Sequence, residues 1–158
     1  MSFSQDEIGE AFQPWEPGRY PARLIDVQIA PGKNGEESDS IFGQFTVTGG
    51  PKEGEDVRIY RRLTVYKTKK GGWFAPGLQE MQADLKAVDG LPAGTALSRD
   101  PNEARKLYAK GLARKHVEIM IYEETDRKDP SKVYLKKKIV GLVGGAKPQA
   151  AEAELELL

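Results

Sequence analysis

The 158-residue chain contains no cysteine and a single histidine, His116. Without cysteine the chain has no disulfides, no thiolate metal sites and no cysteine nucleophile. One histidine also leaves histidine-rich metal sites and most base-assisted nucleophile mechanisms without their usual parts. We therefore predict a binding protein that is not an enzyme, with no catalytic residue, no metal site and no cofactor.

Long apolar runs and catalytic motifs are missing as well. No apolar run approaches the roughly 20 residues that cross a bilayer, and residues 1–15 lack the features of a signal peptide. The glycine-rich phosphate loops, HExxH, GxSxG and the calcium-binding loop are all absent from the sequence. We expect a cytoplasmic protein that has no membrane partner.

The formal net charge is zero, from 24 basic and 24 acidic residues, but the charges are unevenly distributed. Residues 1–16 carry four acids and no base, and residues 147–158 carry three acids and one base. Residues 17–146 therefore carry 23 bases and 17 acids, a net charge of +6. This pattern predicts a flexible acidic arm over 1–15, a basic folded domain over 16–145 and a flexible acidic tail over 146–158. The alternative is ordinary scatter of charges over solvated faces.

Residues of alternating polarity predict three strands at the start of the domain, over Gly18–Ile29, Ser40–Thr48 and Asp56–Tyr66. Turn-forming residues separate them at Pro31–Asp39 and Gly49–Gly54. Strict alternation in the first strand predicts one face with Arg23, Ile25, Val27 and Ile29, and a second face with Tyr20, Ala22, Leu24 and Asp26.

The periodicity then becomes helical. Apolar residues recur at helical spacing after Pro76, namely Leu78, Met81, Leu85 and Val88, and predict one helix. Asp100 and Pro101 form a helix start that predicts a second helix through Leu112. Two further strands are predicted, over His116–Glu123 and Val133–Val140.

The predicted fold is mainly β: a five-stranded, OB-fold-like Greek-key barrel with one or two helices inserted between the third and fourth strands. The face and long loops of such barrels hold nucleic-acid single strands or oligosaccharides.

The third strand alternates basic and aromatic residues on one face with apolar residues on the other. The basic and aromatic face is predicted to carry Arg58, Tyr60, Arg62, Thr64 and Tyr66. Such a strand packs on a core while offering stacking surfaces and phosphate partners to a nucleic acid. Arg61 breaks the pattern by pointing inward, which indicates either a bulge or a solvent-exposed end.

The last predicted strand also carries basic and aromatic residues on one face, and the segment after the third strand adds further basic and aromatic residues. The predicted DNA-binding residues are Arg58, Tyr60, Arg62, Tyr66, Lys67, Lys69, Lys70, Trp73, Tyr134, Lys136 and Lys138. Each strand has an alternative explanation, because exposed tyrosines improve cross-strand packing and lysines protect sheet edges against aggregation. The coincidence of two such strands favours nucleic-acid binding.

Three segments carry a resemblance to a known family: EPGRYPARLIDVQ, FGQFTVTGGPKEGEDVRIYRRLTVY and KVYLKKKIVGL. Together they resemble phage-encoded single-stranded DNA-binding proteins with an OB-fold, over roughly residues 16–143. The resemblance implies sequence-independent binding of single-stranded DNA in phage replication, recombination or repair, in the host cytoplasm.

The C-terminal residues Glu152 to Leu158 are similar in kind to the tails of bacterial single-strand binding proteins, which recruit replication enzymes. This similarity implies replication or recombination proteins as partners, although here glutamate alternates with leucine in place of consecutive aspartates and a terminal proline and phenylalanine. A homo-oligomer is compatible with the sequence. The alternatives to DNA binding are a protein-interaction or virion structural domain, an oligosaccharide-binding barrel and a metal-dependent nuclease.

Overall fold

The computed structural model describes residues 15–32 and 39–144. The predicted acidic tail over 146–158, the predicted N-terminal arm up to residue 14 and most of the first predicted loop lie outside the described residues.

Seven strands and two helices follow one another along the described chain. They are β1 (Gly18–Ala30), β2 (Ser40–Val47), β3 (Asp56–Arg62), β4 (Tyr66–Lys67), β5 (Trp73–Phe74), α1 (Pro76–Ala87), α2 (Pro101–Leu112), β6 (His116–Thr125) and β7 (Val133–Leu142).

Five of the strands form one antiparallel sheet in the order β3-β2-β1-β6-β7, and β4 and β5 form a separate hairpin. The prediction of a mainly β domain with helices between its third and fourth main strands is confirmed. The sheet is nevertheless open among the described residues, since β3 and β7 are its two edges and are not paired with each other. The predicted barrel closure is therefore not observed.

Both helices pack against the same face of this sheet, which we call the inner face. The opposite face is the outer face. Helix α1 contacts the edge strands β3 and β7, whereas α2 contacts β1 and β2. The buried side chains of both layers form one core, whose largest members are Tyr108, Phe45, Ile41, Ile59, Met81, Leu85, Leu112, Ile119 and Ile121.

The strict alternation predicted for β1 is wrong after its middle. The pairing with β2 shifts between Leu24 and Asp26, which is the signature of a β-bulge. The extra residue, Ile25, has 55% of its surface exposed. Because of the bulge, Leu24 and Val27 lie on the same inner face, although their spacing in the sequence is odd.

The two helices begin as their sequences predict. Pro101 occupies the first turn of α2, and the Asp100 carboxylate caps the helix by accepting a hydrogen bond from the Glu103 backbone N–H at 3.0 Å. Helix α1 also starts at a proline, and its buried residues Leu78, Met81 and Leu85 follow the predicted spacing.

Strand β3 ends at Arg62, four residues before the predicted end at Tyr66. The ladder continues for one more hydrogen bond, from the Leu63 N–H to the Asp39 carbonyl at 3.0 Å, and the chain then leaves the sheet, with α1 beginning against the end of β3. Gly77 in the first turn of α1 allows this approach: a Cβ at this position would lie 1.8 Å from the Arg62 carbonyl oxygen.

Neither helix in the described part of the chain has both the length and the apolar content that spanning a lipid bilayer requires.

The contact between Gly77 and Arg62 predicts a large effect of one methyl group. Gly77→Ala places a Cβ inside the backbone of Arg62, so α1 must move away from β3, and we expect a loss of about 3 kcal/mol or more in the free energy of unfolding. Urea denaturation measures this loss. Gly141→Ala is the matched control, because a Cβ there meets nothing within 4 Å. Equal effects of the two substitutions would contradict the assigned contact.

Candidate nucleic-acid interface

The outer face of β3 carries exposed basic and aromatic side chains. Arg58, Tyr60 and Arg62 are exposed, whereas Val57 and Ile59 are buried on the inner face. This is the arrangement that the alternating sequence predicts for the strand between 56 and 62. The Tyr60 ring has half of its surface exposed, so an incoming planar group can reach it.

Phe42 supports this row from the neighbouring strand β2, opposite Tyr60 in the ladder. The Phe42 and Tyr60 ring centroids are 5.0 Å apart with the rings tilted by 34°. The Arg58 guanidinium carbon lies 4.8 Å from the centroid of the same Phe42 ring. These contacts place the phenol and the guanidinium side by side over a buried ring. Phe42 was not among the predicted site residues, although its position opposite the basic strand was a signal for it.

The outer face of β7 is less freely available than that of β3. Lys136 forms an ion pair with Glu124 at 3.7 Å, and the Lys138 ammonium lies 5.1 Å from the Tyr122 ring centroid. The Tyr134 hydroxyl donates to the Asp126 carboxylate at 3.2 Å. All three predicted residues of this strand are exposed on the face that they share with Tyr122 and Glu124.

A cleft of about 220 Å³ separates the two edge strands of the sheet. It is lined by Arg58, Ile59, Tyr60 and Arg61 of β3, by Leu135, Lys136 and Lys137 of β7, and by Glu80 of α1. The structure therefore brings Arg58, Tyr60 and Lys136 together at one opening, although β3 and β7 are at opposite ends of the strand order.

Two hydrogen bonds cross from one edge strand to the other. The Arg61 guanidinium donates to the Lys137 carbonyl at 2.9 Å, and the Lys137 ammonium donates to the Arg58 carbonyl at 2.9 Å. These side-chain bonds connect the strands where a backbone ladder is missing. They also hold the two edges at a defined separation, so the width of the cleft depends on Arg61 and Lys137.

The inward-pointing Arg61 is explained by a buried partner, not by a bulge or an exposed end. Arg61 is 5% exposed and donates from Nε and Nη2 to the Asp84 carboxylate at 2.7 and 3.1 Å. Asp84, which is 1% exposed on α1, also accepts from the Tyr108 hydroxyl at 2.8 Å and from the Ile139 N–H at 3.0 Å. One carboxylate thus ties β3, α2 and β7 to α1.

The electrostatics of this buried group favour the ion pair. Burial disfavours the charged form of Arg61, but the hydrogen bond and negative charge of Asp84 outweigh it and raise the pKa of the guanidinium. Burial, together with the Asp84 charge, also raises the pKa of Tyr108 well above its ordinary value. Burial and the nearby Arg61 lower the pKa of Lys137. Arg61 stays charged and Tyr108 stays a hydrogen-bond donor at neutral pH.

Five predicted site residues lie on the β4–β5 hairpin instead of on the main sheet. They are Tyr66, Lys67, Lys69, Lys70 and Trp73. Tyr66 was predicted to share a face of the third strand with Tyr60, and this is wrong because β3 ends at Arg62. Tyr66 instead pairs with Phe74, and Lys67 pairs with Trp73.

The single histidine lies away from the cleft, at the start of β6. Its Nε2 is 2.6 Å from the Thr48 hydroxyl oxygen, which is a satisfied polar contact between strand ends. Among residues 15–32 and 39–144, no three histidine or carboxylate side chains converge on one point that would hold a metal ion.

Comparison with known proteins finds no family model that matches the chain and no curated protein that is significantly similar to it.

The geometry predicts that Asp84 contributes far more to the free energy of unfolding than its neighbour Glu80, although both face Arg61. Asp84→Asn leaves the buried guanidinium with only the half-exposed Glu80, 3.8 Å away, as a charge partner, and we expect it to lower the free energy of unfolding by about 3–5 kcal/mol. Glu80→Gln removes a half-exposed partner at 3.8 Å and should cost at most about 1 kcal/mol. Chemical denaturation of the two variants compares them, and similar losses would contradict the assignment of Asp84 as the central acceptor.

Proposed function

We propose that this domain is a half-open barrel of the OB type that binds single-stranded DNA without sequence preference. The observation that carries the proposal is the cleft between β3 and β7, where Arg58, Tyr60 and Lys136 meet. A role in phage DNA replication, recombination or repair follows from the resemblance of the sequence to phage single-stranded DNA-binding proteins.

The strand order supports the barrel assignment. In a small Greek-key barrel of five strands, the first strand pairs with the second and the fourth, as β1 does here with β2 and β6. Closing such a barrel requires the third and last main strands to approach each other, and Arg61 and Lys137 bridge these strands. OB-fold barrels are partly open and use the face of strands 2 and 3 to bind oligonucleotides. The tyrosine and two arginines of β3 lie on that face.

The proposed mechanism combines stacking with charge. Tyr60 offers an exposed ring to a base, and Arg58 and Lys136 on either side of the cleft are placed to contact phosphates. A stacked base contributes roughly 1–3 kcal/mol whatever its identity, because every base has a π-face. Binding of this kind would need neither sequence readout nor a cofactor.

A second candidate function rests on the exposed apolar residues of β7. Val133 and Leu135 have 52% and 37% of their surface exposed on an edge strand, and they lie on the face opposite to Tyr134. Exposed apolar residues on a free edge are typical of a protein contact. A protein-interaction or virion structural domain would use this edge and would not bind DNA.

Salt dependence tests the proposed charge contacts. If about five phosphates are neutralised, the logarithm of the association constant for oligo(dT) falls with the logarithm of salt concentration at a slope of roughly −3.5. Fluorescence anisotropy of a labelled oligonucleotide at several salt concentrations measures the slope. A slope near zero contradicts phosphate binding, and no binding at low salt favours the protein-contact alternative.

Removal of the Tyr60 ring tests the stacking surface. We expect Tyr60→Ala to weaken oligo(dT) binding at least about fivefold, which is the lower limit for loss of one stacked base. Ile25→Ala is the control, since Ile25 and Tyr60 are similarly exposed on the main sheet, at 55% and 50%, but only Tyr60 lines the cleft. Unfolding midpoints of both variants establish that folding is intact. Equal affinities of the two variants would contradict a contact between Tyr60 and the DNA.

A further inference from the structure

The β4–β5 hairpin exposes three aromatic rings that take no part in the core. Trp73 has 70% of its surface exposed, Phe74 48% and Tyr66 43%. Within the described residues the hairpin forms its own two-stranded sheet, separate from the main one. Exposing large apolar rings to water is unfavourable, so we expect a ligand or partner to cover this surface.

The rings lie on both faces of the hairpin. Tyr66 and Phe74 are opposite each other in the ladder and therefore share one face. Trp73 is opposite Lys67 and lies on the other face, because side chains alternate along a strand. Each face thus presents an aromatic surface, and one of them also presents an ammonium group.

The hairpin is strongly basic. Residues 57–79 contain six lysines and arginines and no acidic residue. Three of these bases belong to the hairpin: Lys67 in β4, and Lys69 and Lys70 in its exposed turn. An occupant that satisfies both the rings and this charge has planar apolar groups and negative charges, which is the chemistry of unpaired nucleotides.

The turn of the hairpin is braced, and the chain on either side of the hairpin is anchored at the end of β3. The Thr68 hydroxyl accepts from the Gly72 N–H at 2.9 Å, which braces the turn. At the base, Leu63 donates to Asp39 and Gly77 packs on the backbone of Arg62. Leu63 and Gly77 lie three residues before β4 and three residues after β5, so the chain is anchored on both sides of the hairpin.

We infer that the β4–β5 hairpin is a second contact for single-stranded DNA, which stacks one base on Trp73 and another on the Tyr66 and Phe74 face. This inference rests on the proposed binding of single-stranded DNA and extends the binding site beyond the β3–β7 cleft. Lys67, Lys69 and Lys70 contact the phosphates next to the stacked bases.

Trp73 supplies a direct readout, because the only other tryptophan, Trp15, packs against Tyr20 with its ring centroid 5.2 Å from the tyrosine ring. In Trp15→Phe, all tryptophan emission comes from Trp73 and should be quenched as oligo(dT) binds, in step with the anisotropy of the labelled oligonucleotide. In the matched variant Trp73→Phe, emission from Trp15 should stay nearly constant.

Affinity measurements complete the test. Trp73→Ala and the double variant Tyr66→Ala/Phe74→Ala should each weaken binding at least about fivefold. Replacing Lys67, Lys69 and Lys70 by glutamine should make the salt slope less negative by about 2, that is, by roughly 0.7 for each lost contact. Unfolding midpoints should stay close to that of the unmodified protein, since all these side chains are exposed.

The outcomes separate this inference from the proposed function. If anisotropy detects binding but Trp73 is not quenched, the hairpin contact is contradicted and the proposed role of the cleft is not. If Trp73 is quenched and Tyr60→Ala binds with unchanged affinity, the hairpin contact is supported and the proposed role of the cleft is contradicted. No binding of oligo(dT) overturns both. Self-association that is lost in Trp73→Ala, without quenching by DNA, would assign the hairpin to contact between copies of the chain.

Discussion

The arrangement of the edge strands depends on the buried carboxylate of Asp84. It accepts four hydrogen bonds, two from Arg61 and one each from Tyr108 and the Ile139 N–H. An isolated buried charge is strongly disfavoured, and removing one partner of a buried pair typically costs about 3–5 kcal/mol. The buried charge of Asp84 is compensated because donors from three other elements form hydrogen bonds to it. The same requirement forces β3, β7 and α2 into fixed positions around α1.

The bonds of Arg61 and Lys137 between the edge strands determine where the neighbouring side chains lie on the outer face, because side chains alternate along a strand. Arg61 lies between Tyr60 and Arg62 in sequence, and Lys137 lies between Lys136 and Lys138. When Arg61 and Lys137 bond across the gap, their sequence neighbours are turned to the outer face at a set separation. A surface proposed to bind a polyanion is thus positioned by the ion pair of Arg61 with Asp84, which is itself almost completely buried.

Net charge is a poor guide to this protein, because opposite charges are segregated. The chain as a whole is neutral, yet residues 57–79 contain only basic charges. On β7 the situation differs, since Lys136 is paired with Glu124 and Tyr134 is bonded to Asp126. A ligand must compete with these acids on β7, whereas on β3 and the hairpin it meets basic and aromatic groups. The stronger part of the proposed interface is therefore β3 with the β4–β5 hairpin.

The sequence by itself determined the features that depend on near neighbours. Alternation set the two faces of β2, of β3 up to Arg62 and of β7, and Asp100 with Pro101 set the start of α2. Only the tertiary structure decided the bulge at Ile25, the early end of β3 and the partner of Arg61. Each of these depends on groups that the chain brings together from a distance. Asp84 is 23 residues and the Lys137 carbonyl 76 residues from Arg61. Local periodicity predicts which way a side chain points, but the long-range packing of strands and helices determines what it meets there.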